Sequence, residues 1–155
     1  MKLKLVKSFW GMEGSLEEKV RRIAEAGYAA VEGQPPADDQ ADLLKRLLRE
    51  HRLDFIPMVI TEGADYHEHL ASYVAKIERA RSFDPIKITV HGGKDWWAFG
   101  TQRDFFAEAL EVERRIGQEV NFETHRGRPM FTPTATAAFL REFSELPSTR
   151  TSATS

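Results

Sequence analysis

The feature of this sequence that most constrains its fold is a repeated alternation of short apolar runs and longer amphipathic segments. Five such pairs follow one another, and the centres of the apolar runs lie roughly 25 to 35 residues apart. The runs predict strands over residues 3–8, 29–32, 53–60, 85–91 and 120–123. Each is followed by the apolar period of a helix. This order is typical of βαβ units, so the sequence predicts an α/β fold with parallel strands.

Capping residues mark where the predicted helices begin. Ser15 is followed three residues later by Glu18, which is the pattern of a capping box. The other expected capping positions are Asp38 or Asp39, Asp65, and Thr132 followed by Pro133. These signals agree with the apolar periods and therefore support five helices.

Polar side chains recur where the predicted strands end. They are Ser8, Glu32, Thr61, Glu62, His91, Glu123 and His125. In a (β/α) barrel the carboxyl ends of all strands meet at one mouth, and the functional site is built there. A complete barrel of eight units takes about 250 residues. The sequence therefore predicts a partial (β/α)8 TIM barrel of about five βα units over residues 1–146.

The last segment, residues 147–155, differs in composition from the rest of the chain. It is rich in Ser and Thr and has no apolar period, so we expect it to be disordered. It appears where a sixth strand is expected. A shift of reading frame near Leu146 is one explanation of this change in composition. The nucleotide sequence would test this hypothesis.

The composition of the chain limits which classes of partner we expect it to bind. With 155 residues the chain is long enough for one domain with a core, and its net charge of −2 shows no basic excess for a nucleic acid. It has no cysteine, which excludes disulfides and thiolate metal sites. No apolar run approaches the roughly 18 residues of a membrane span, and the first residues lack the pattern of a signal peptide. We expect a cytoplasmic protein without nucleic-acid or membrane partners.

Residues 120–128 are the stretch richest in candidate functional side chains. An apolar run there leads into Glu123, Thr124, His125, Arg126 and Arg128. A strand can hold Phe122 on one face and Glu123 on the other, because side chains alternate along it. A carboxylate and an imidazole at a strand end, beside arginines, suit a metal and an anionic or polyhydroxy ligand.

The sequence resembles the sugar phosphate isomerase/epimerase family, which has a xylose isomerase-like TIM barrel. The motifs that carry the resemblance are FWGM at 9–12, AAVEG at 29–33, TVHGGKDWW at 89–97 and NFETHRGR at 121–128. The similarity extends from the first strand to about Leu146. It implies a small-molecule sugar or sugar phosphate as substrate, a divalent metal (Mn, Mg, Co or Zn), and proton transfer through an enediolate.

The resemblance also implies roles for particular residues. Glu123 matches a glutamate that serves the family as both an acid/base group and a metal ligand. The candidate substrate-binding residues are His91, His125, Arg126, Glu32 and Trp96. Further metal ligands of the family, on its sixth to eighth strands, have no counterpart here. The resemblance therefore implies a truncated chain with an incomplete metal site, which we expect to be inactive.

Simpler interpretations of these residues stay open at this point. Glu123 can be a surface residue paired with Arg126 or Arg128, His91 can be a hydrogen-bonded core residue, and Trp96 can serve packing. Two other functions are also open: a metal-dependent phosphodiesterase like the family-two abasic-site endonucleases, and a remnant without catalysis. Because five strands do not close a barrel, we also expect self-association through the open edges.

Overall fold

The computed structural model describes residues 3–144, 146 and 148–149. Its strands are β1 Val6–Ser8, β2 Ala30–Gly33, β3 Asp54–Ile60, β4 Ile88–His91, β5 Val120–Glu123 and β6 Ser148–Thr149. Its helices are α1 Leu16–Glu25, α2 Asp38–His51, α3 Tyr66–Arg81, α4 Phe99–Ile116 and α5 Pro133–Glu142. Strand and helix alternate throughout, which confirms the prediction of about five βα units.

All six strands form one parallel sheet in the order in which they occur along the chain. Each helix connects two neighbouring strands, as a parallel pairing requires. The strand order and the parallel pairing confirm a partial TIM barrel. Because the strands run the same way, Glu32, His91 and Glu123 all lie at the carboxyl edge of the sheet.

Two apolar clusters hold the helices on the sheet. The larger one joins α3, α4 and α5 to β3, β4 and β5, and it is rich in aromatic rings. Phe106 lies at its centre, with its ring centroid 5.1 Å from that of Phe122 and 4.8 Å from that of Phe139. The second cluster joins α1 and α2 to β2 and to Phe55 and Phe83. The strand ends that carry polar residues are thus held by a packed framework.

Several element boundaries differ from the sequence-based prediction; strand β4, for example, begins at Ile88 rather than at residue 85. Strand β1 begins at Val6 rather than at residue 3, and Leu3 and Leu5 are 78% and 56% exposed. The carbonyl oxygen of Leu5 still accepts hydrogen bonds from the N–H groups of Ala29 and Ala30, at 2.9 and 3.2 Å. The backbone pairing therefore extends one residue before Val6, but the apolar side chains of Leu3 and Leu5 stay largely exposed. Helix α2 is preceded by Ala37, which makes no side-chain cap, whereas Asp38 is already helical, so the predicted aspartate cap was wrong. Helix α4 begins at Phe99, whereas the sequence predicts a start at about Thr101.

The segment from residue 147 onward is described only in part. Ser148–Thr149 form the short strand β6, which pairs with Phe122 and Glu123 of β5. Residues 147 and 150–155, and with them the rest of the expected disordered tail, lie outside the described residues.

Candidate active site

The centre of the candidate site is a contact between His91 and Glu123. His91 is the last residue of β4 and Glu123 the last residue of the neighbouring β5, so the sheet brings their side chains together. Nε2 of His91 donates a hydrogen bond to Oε2 of Glu123. The two side chains are only 10% and 15% exposed. The partner of Glu123 is therefore a histidine on the next strand rather than Arg126 or Arg128.

This contact keeps the Glu123 carboxylate ionised. The hydrogen bond from His91 lowers the pKa of Glu123, and the charges of His91, His125 and Lys87 act in the same direction. Burial acts to raise the pKa of Glu123, but its effect is smaller than the combined effect of the hydrogen bond and these charges. At neutral pH Glu123 is thus a negative group that can accept a proton or hold a cation.

A second carboxylate, that of Glu32 on β2, faces the same region. Its Oε1 accepts a hydrogen bond of 3.2 Å from Oγ1 of Thr89, which lies two residues before His91 on the same face of β4. Burial raises the pKa of Glu32, and repulsion by Glu123 raises it further. The site therefore contains two carboxylates whose pKa values move in opposite directions, an arrangement that suits one proton donor and one proton acceptor.

The loop after β5 places the ring of His125 against His91 and leaves Arg126 exposed beside it. The rings of His125 and His91 stack with centroids 4.4 Å apart and planes 25° from parallel. Nδ1 of His125 donates to the carbonyl oxygen of Arg126 at 2.8 Å, which fixes the ring over His91. Arg126 itself is exposed. Arg128 folds back instead, and its Nη1 donates to the carbonyl oxygen of Gly93 at 2.8 Å.

Trp96 lies at the same end of the sheet but apart from the central pair. It is 69% exposed, and its ring meets that of the buried Trp97 edge to face, with centroids 6.2 Å apart. Its indole thus has an open face available for a ligand. The substrate-stacking role that the sequence suggested for Trp96 stays a prediction.

Sequence reasoning missed the residues that hold the end of β4 in place. Thr61 follows β3, and its backbone N–H donates to the carbonyl oxygen of His91 at 3.1 Å. Its Oγ1 accepts from the N–H of Gly93 at 3.1 Å and contacts Nδ1 of the buried His69 at 2.8 Å. The position of Thr61 at a strand end was a signal, but the involvement of His69, which lies on a helix, could not be predicted.

The described side chains do not by themselves form a complete metal site. Within residues 3–144 and 146, no three His, Asp or Glu side chains come together in a way that could hold a metal ion. Glu123 instead contacts His91, and Glu32 contacts Thr89. Mg²⁺ and related ions prefer about six ligands, mainly oxygens. The described residues thus offer two neighbouring carboxylates, those of Glu123 and Glu32, rather than a coordination shell.

No helix in the described part of the chain combines the length and the apolar character that crossing a membrane requires.

Solved structures with this fold include enzymes of different chemistry. A probable 3-DHS dehydratase from Bacillus anthracis superimposes with a TM-score of 0.72 at 15% identity, covering 94% of this chain and 61% of that one. A 3-keto-D-glucoside 4-epimerase from E. coli gives 0.68 at 15% identity, with 95% and 66% covered. A protein from Mycobacterium smegmatis in complex with magnesium gives 0.61 at 13% identity, with 85% and 54% covered.

At these identities the likeness shows the fold alone, and the chain spans less than two thirds of the length of these solved relatives. No curated protein matches the chain. A sequence profile of the family described as xylose isomerase-like TIM barrel matches residues 20–149, which is most of the chain. The chain therefore belongs to the xylose isomerase-like TIM barrel family.

Proposed function

We propose that this chain carries the proton-transferring part of a sugar or sugar phosphate isomerase or epimerase. The observation that carries the proposal is the hydrogen bond between His91 and Glu123 at the carboxyl ends of β4 and β5. It keeps a carboxylate ionised at the edge of a barrel where related folds place their chemistry. The epimerase among the solved structures with this fold supports the choice of a sugar as substrate.

In the proposed reaction Glu123 acts as the general base. It takes the proton from the carbon next to the substrate carbonyl, the C–H electron pair becomes a C=C bond, the carbonyl π pair moves onto the carbonyl oxygen, and an enediolate results. Oε2 of Glu123 accepts from His91, which leaves Oε1 as the oxygen to take the proton in this proposal. Glu32, whose pKa is raised, can return a proton to the neighbouring carbon or oxygen. His125, Arg126 and Trp96 bind the hydroxyl or phosphate groups and the apolar face of the sugar.

The metal part of the proposal is limited to one ligand. Glu123 is the described carboxylate that the family resemblance assigns to a divalent metal (Mn, Mg, Co or Zn), and the magnesium complex with the same fold supports a metal of this class. When bound, such an ion would stabilise negative charge on substrate oxygens. Because the described residues do not form a full coordination shell, we expect weak binding by this chain.

The rival function, a metal-dependent phosphodiesterase on the same barrel, has less support from the chain's own charges. A protein that binds nucleic acid needs a basic surface to neutralise phosphates. The net charge here is −2, with 22 basic and 24 acidic side chains. We therefore propose a small-molecule substrate. Its identity and the cytoplasmic location expected from the sequence stay predictions.

Hydrogen exchange tests the proposal directly. D-fructose and D-fructose 6-phosphate are incubated with the protein in D2O, with Mn²⁺ or with EDTA, and loss of the carbon-bound proton next to the carbonyl is followed by NMR. We expect Glu123→Gln to exchange roughly 100-fold more slowly than the unchanged chain, as loss of a general base predicts. Glu111→Gln is the matched control, because Glu111 is exposed on α4 and pairs with Arg114.

Equal exchange rates for the unchanged chain and Glu123→Gln would contradict the proposal. If none of the three proteins exchanges, the expectation of an inactive chain, made from the resemblance, is supported. Glu123 then does not work as a base in this chain.

A further inference from the structure

A cavity lies at the opposite edge of the sheet, away from Glu123. Its volume is about 470 Å³, and it is bounded by the end of α2, the start of β3 and the turn between α3 and β4. Strand β3 begins there with Asp54, at its amino end. The candidate active site is built from the carboxyl ends of the strands, so this cavity is separate from it.

The cavity combines an aromatic floor with three cations. Phe55 and Phe83 are buried beneath it, with their ring centroids 5.4 Å apart. Nζ of Lys45 lies 4.9 Å from the ring centroid of Phe83. Arg49 and Arg52 complete the basic wall, and neither guanidinium has an ion-pair partner among the described residues.

Two acidic residues also line the cavity but do not cancel these charges. Asp54 is paired with Lys4, which neutralises it. Asp84, on the far wall, is exposed. The cavity as a whole therefore keeps an excess of positive charge next to an apolar floor.

The backbone gives an independent reason to treat this cavity as a site. Arg52 and Asp84, on two of its walls, are the non-glycine residues with positive φ in the described chain, at 54° and 50°. The turns after α1 and α4 place glycine in this conformation, at Gly27 and Gly117. Glycine is the residue that adopts it at least cost. Arg52 is the left-handed residue that ends α2, so this position keeps a guanidinium at the cavity wall where glycine would adopt the backbone conformation at less cost.

We propose that this cavity binds a small anion with an aromatic body, of the class of aryl phosphates and nucleoside monophosphates. Arg49 and Arg52 hold the anionic group by charge-assisted hydrogen bonds. Lys45 and the Phe83 edge contact the aromatic ring, which covers the apolar floor. The proposal concerns a binding site and does not depend on the reaction at Glu123.

Phenyl phosphate is the test ligand, with phenol and inorganic phosphate as its two halves. Binding to the full chain is followed by the backbone amide NMR signals of residues 45–55 and 82–84. We expect saturable shifts with phenyl phosphate and at least about tenfold weaker binding of either half, as the loss of one of two contact types predicts. Arg49→Ala is expected to weaken phenyl phosphate binding by roughly tenfold.

Arg52→Gly separates binding from folding. Glycine relieves the positive φ, so we expect a higher Tm together with weaker binding of phenyl phosphate. Arg46→Ala is the control, because Arg46 lies on the same helix, pairs with Glu50 and does not line the cavity. The proposal is overturned if these amides show no saturable shift, if inorganic phosphate binds as tightly as phenyl phosphate, or if Arg49→Ala and Arg52→Gly bind like Arg46→Ala.

Discussion

Glu123 and His91 are 32 positions apart in the sequence and in contact in the fold. This contact lowers the pKa of Glu123 below its ordinary value of 4.5. A carboxyl group whose pKa is lowered by folding stabilises the folded state above its unfolded pKa. That stabilisation is lost as the pH falls through the folded pKa.

The first prediction concerns this pair. Glu123→Gln removes the charged acceptor, so we expect the free energy of unfolding at pH 7 to fall by roughly 1.5 to 3 kcal/mol, as for a hydrogen bond to a charged group. The difference between the variant and the unchanged chain should shrink as the pH is lowered from roughly 5 to 3. Urea denaturation at several pH values measures it. A difference that does not depend on pH would contradict the ionised pair.

Glu32→Gln is the matched variant, and we expect its effect on stability to depend on pH in the opposite direction. The pKa of Glu32 is raised by burial and by Glu123, so its charged form opposes folding above that pKa. The glutamine keeps an oxygen for Thr89 and carries no charge. We expect its stability relative to the unchanged chain to improve as the pH rises from acid to pH 8. A relative loss at pH 8 would contradict the assignment.

The second prediction concerns the glycine after His91. A Cβ on Gly92 would lie 2.9 Å from Cε1 of Phe105 and 3.0 Å from Cε1 of Phe122. Gly92→Ala therefore overpacks the core, and we expect a loss of roughly 1 to 3 kcal/mol in the free energy of unfolding. Gly100→Ala is the control, because it lies in α4 with nothing within 4 Å of its Cβ, and it should be neutral or stabilising. Thermal denaturation measures the stability of both variants, and a Gly92→Ala chain as stable as the unchanged one would contradict the prediction.

At the scale of elements, the helices begin in different ways. Helix α1 has a complete capping box, in which the N–H of Glu18 donates to Oγ of Ser15 and the N–H of Ser15 donates to the Glu18 carboxylate. Helix α2 is preceded by Ala37, which supplies no side-chain cap. The orphan N–H groups of its first turn therefore lack the partner that a polar cap supplies.

The third prediction follows from this difference. Ser15→Ala should lower the free energy of unfolding by about 1 kcal/mol, and Ala37→Ser should raise it by up to about 1 kcal/mol. Both changes are at helix starts, so each serves as the control for the other in chemical denaturation. A loss of stability in Ala37→Ser would show that the backbone at residue 37 cannot place a hydroxyl over the first turn.

At the scale of the whole molecule, the sheet has an open edge at β1. Among the described residues this strand pairs only with β2. Leu3, Leu5 and Val6 beside it are 78%, 56% and 40% exposed. An unpaired edge with apolar side chains is a surface on which a second copy can add a strand.

The fourth prediction is therefore self-association of this chain through β1. Sedimentation velocity should show species larger than a monomer whose fraction rises with concentration. Leu5→Lys should reduce that fraction, because a lysine at a sheet edge opposes pairing. Ile86→Lys is the control, since Ile86 is 43% exposed but does not lie on β1. A monomer at all concentrations would contradict the prediction.

Sequence alone determined the order of the elements and most of their limits. These depend on local physics: the capping box at Ser15, the apolar period of each helix and the alternation in β4 and β5 all act within a few residues. The family membership was likewise accessible, because it rests on short motifs and their order. The sequence also placed Glu32, His91 and Glu123 at strand ends, where a parallel sheet brings them to one edge.

Only the tertiary structure decided how those residues meet. In the fold the partner of Glu123 is His91 rather than Arg126 or Arg128. The guanidinium of Arg128 donates instead to the carbonyl oxygen of Gly93. Glu32 accepts a hydrogen bond from Thr89. It also left Leu3 and Leu5 outside β1 and joined Thr61 to the buried His69. Local pattern carries no information on such pairings, since the distance between two side chains on different strands is set by sheet register, burial and loop geometry.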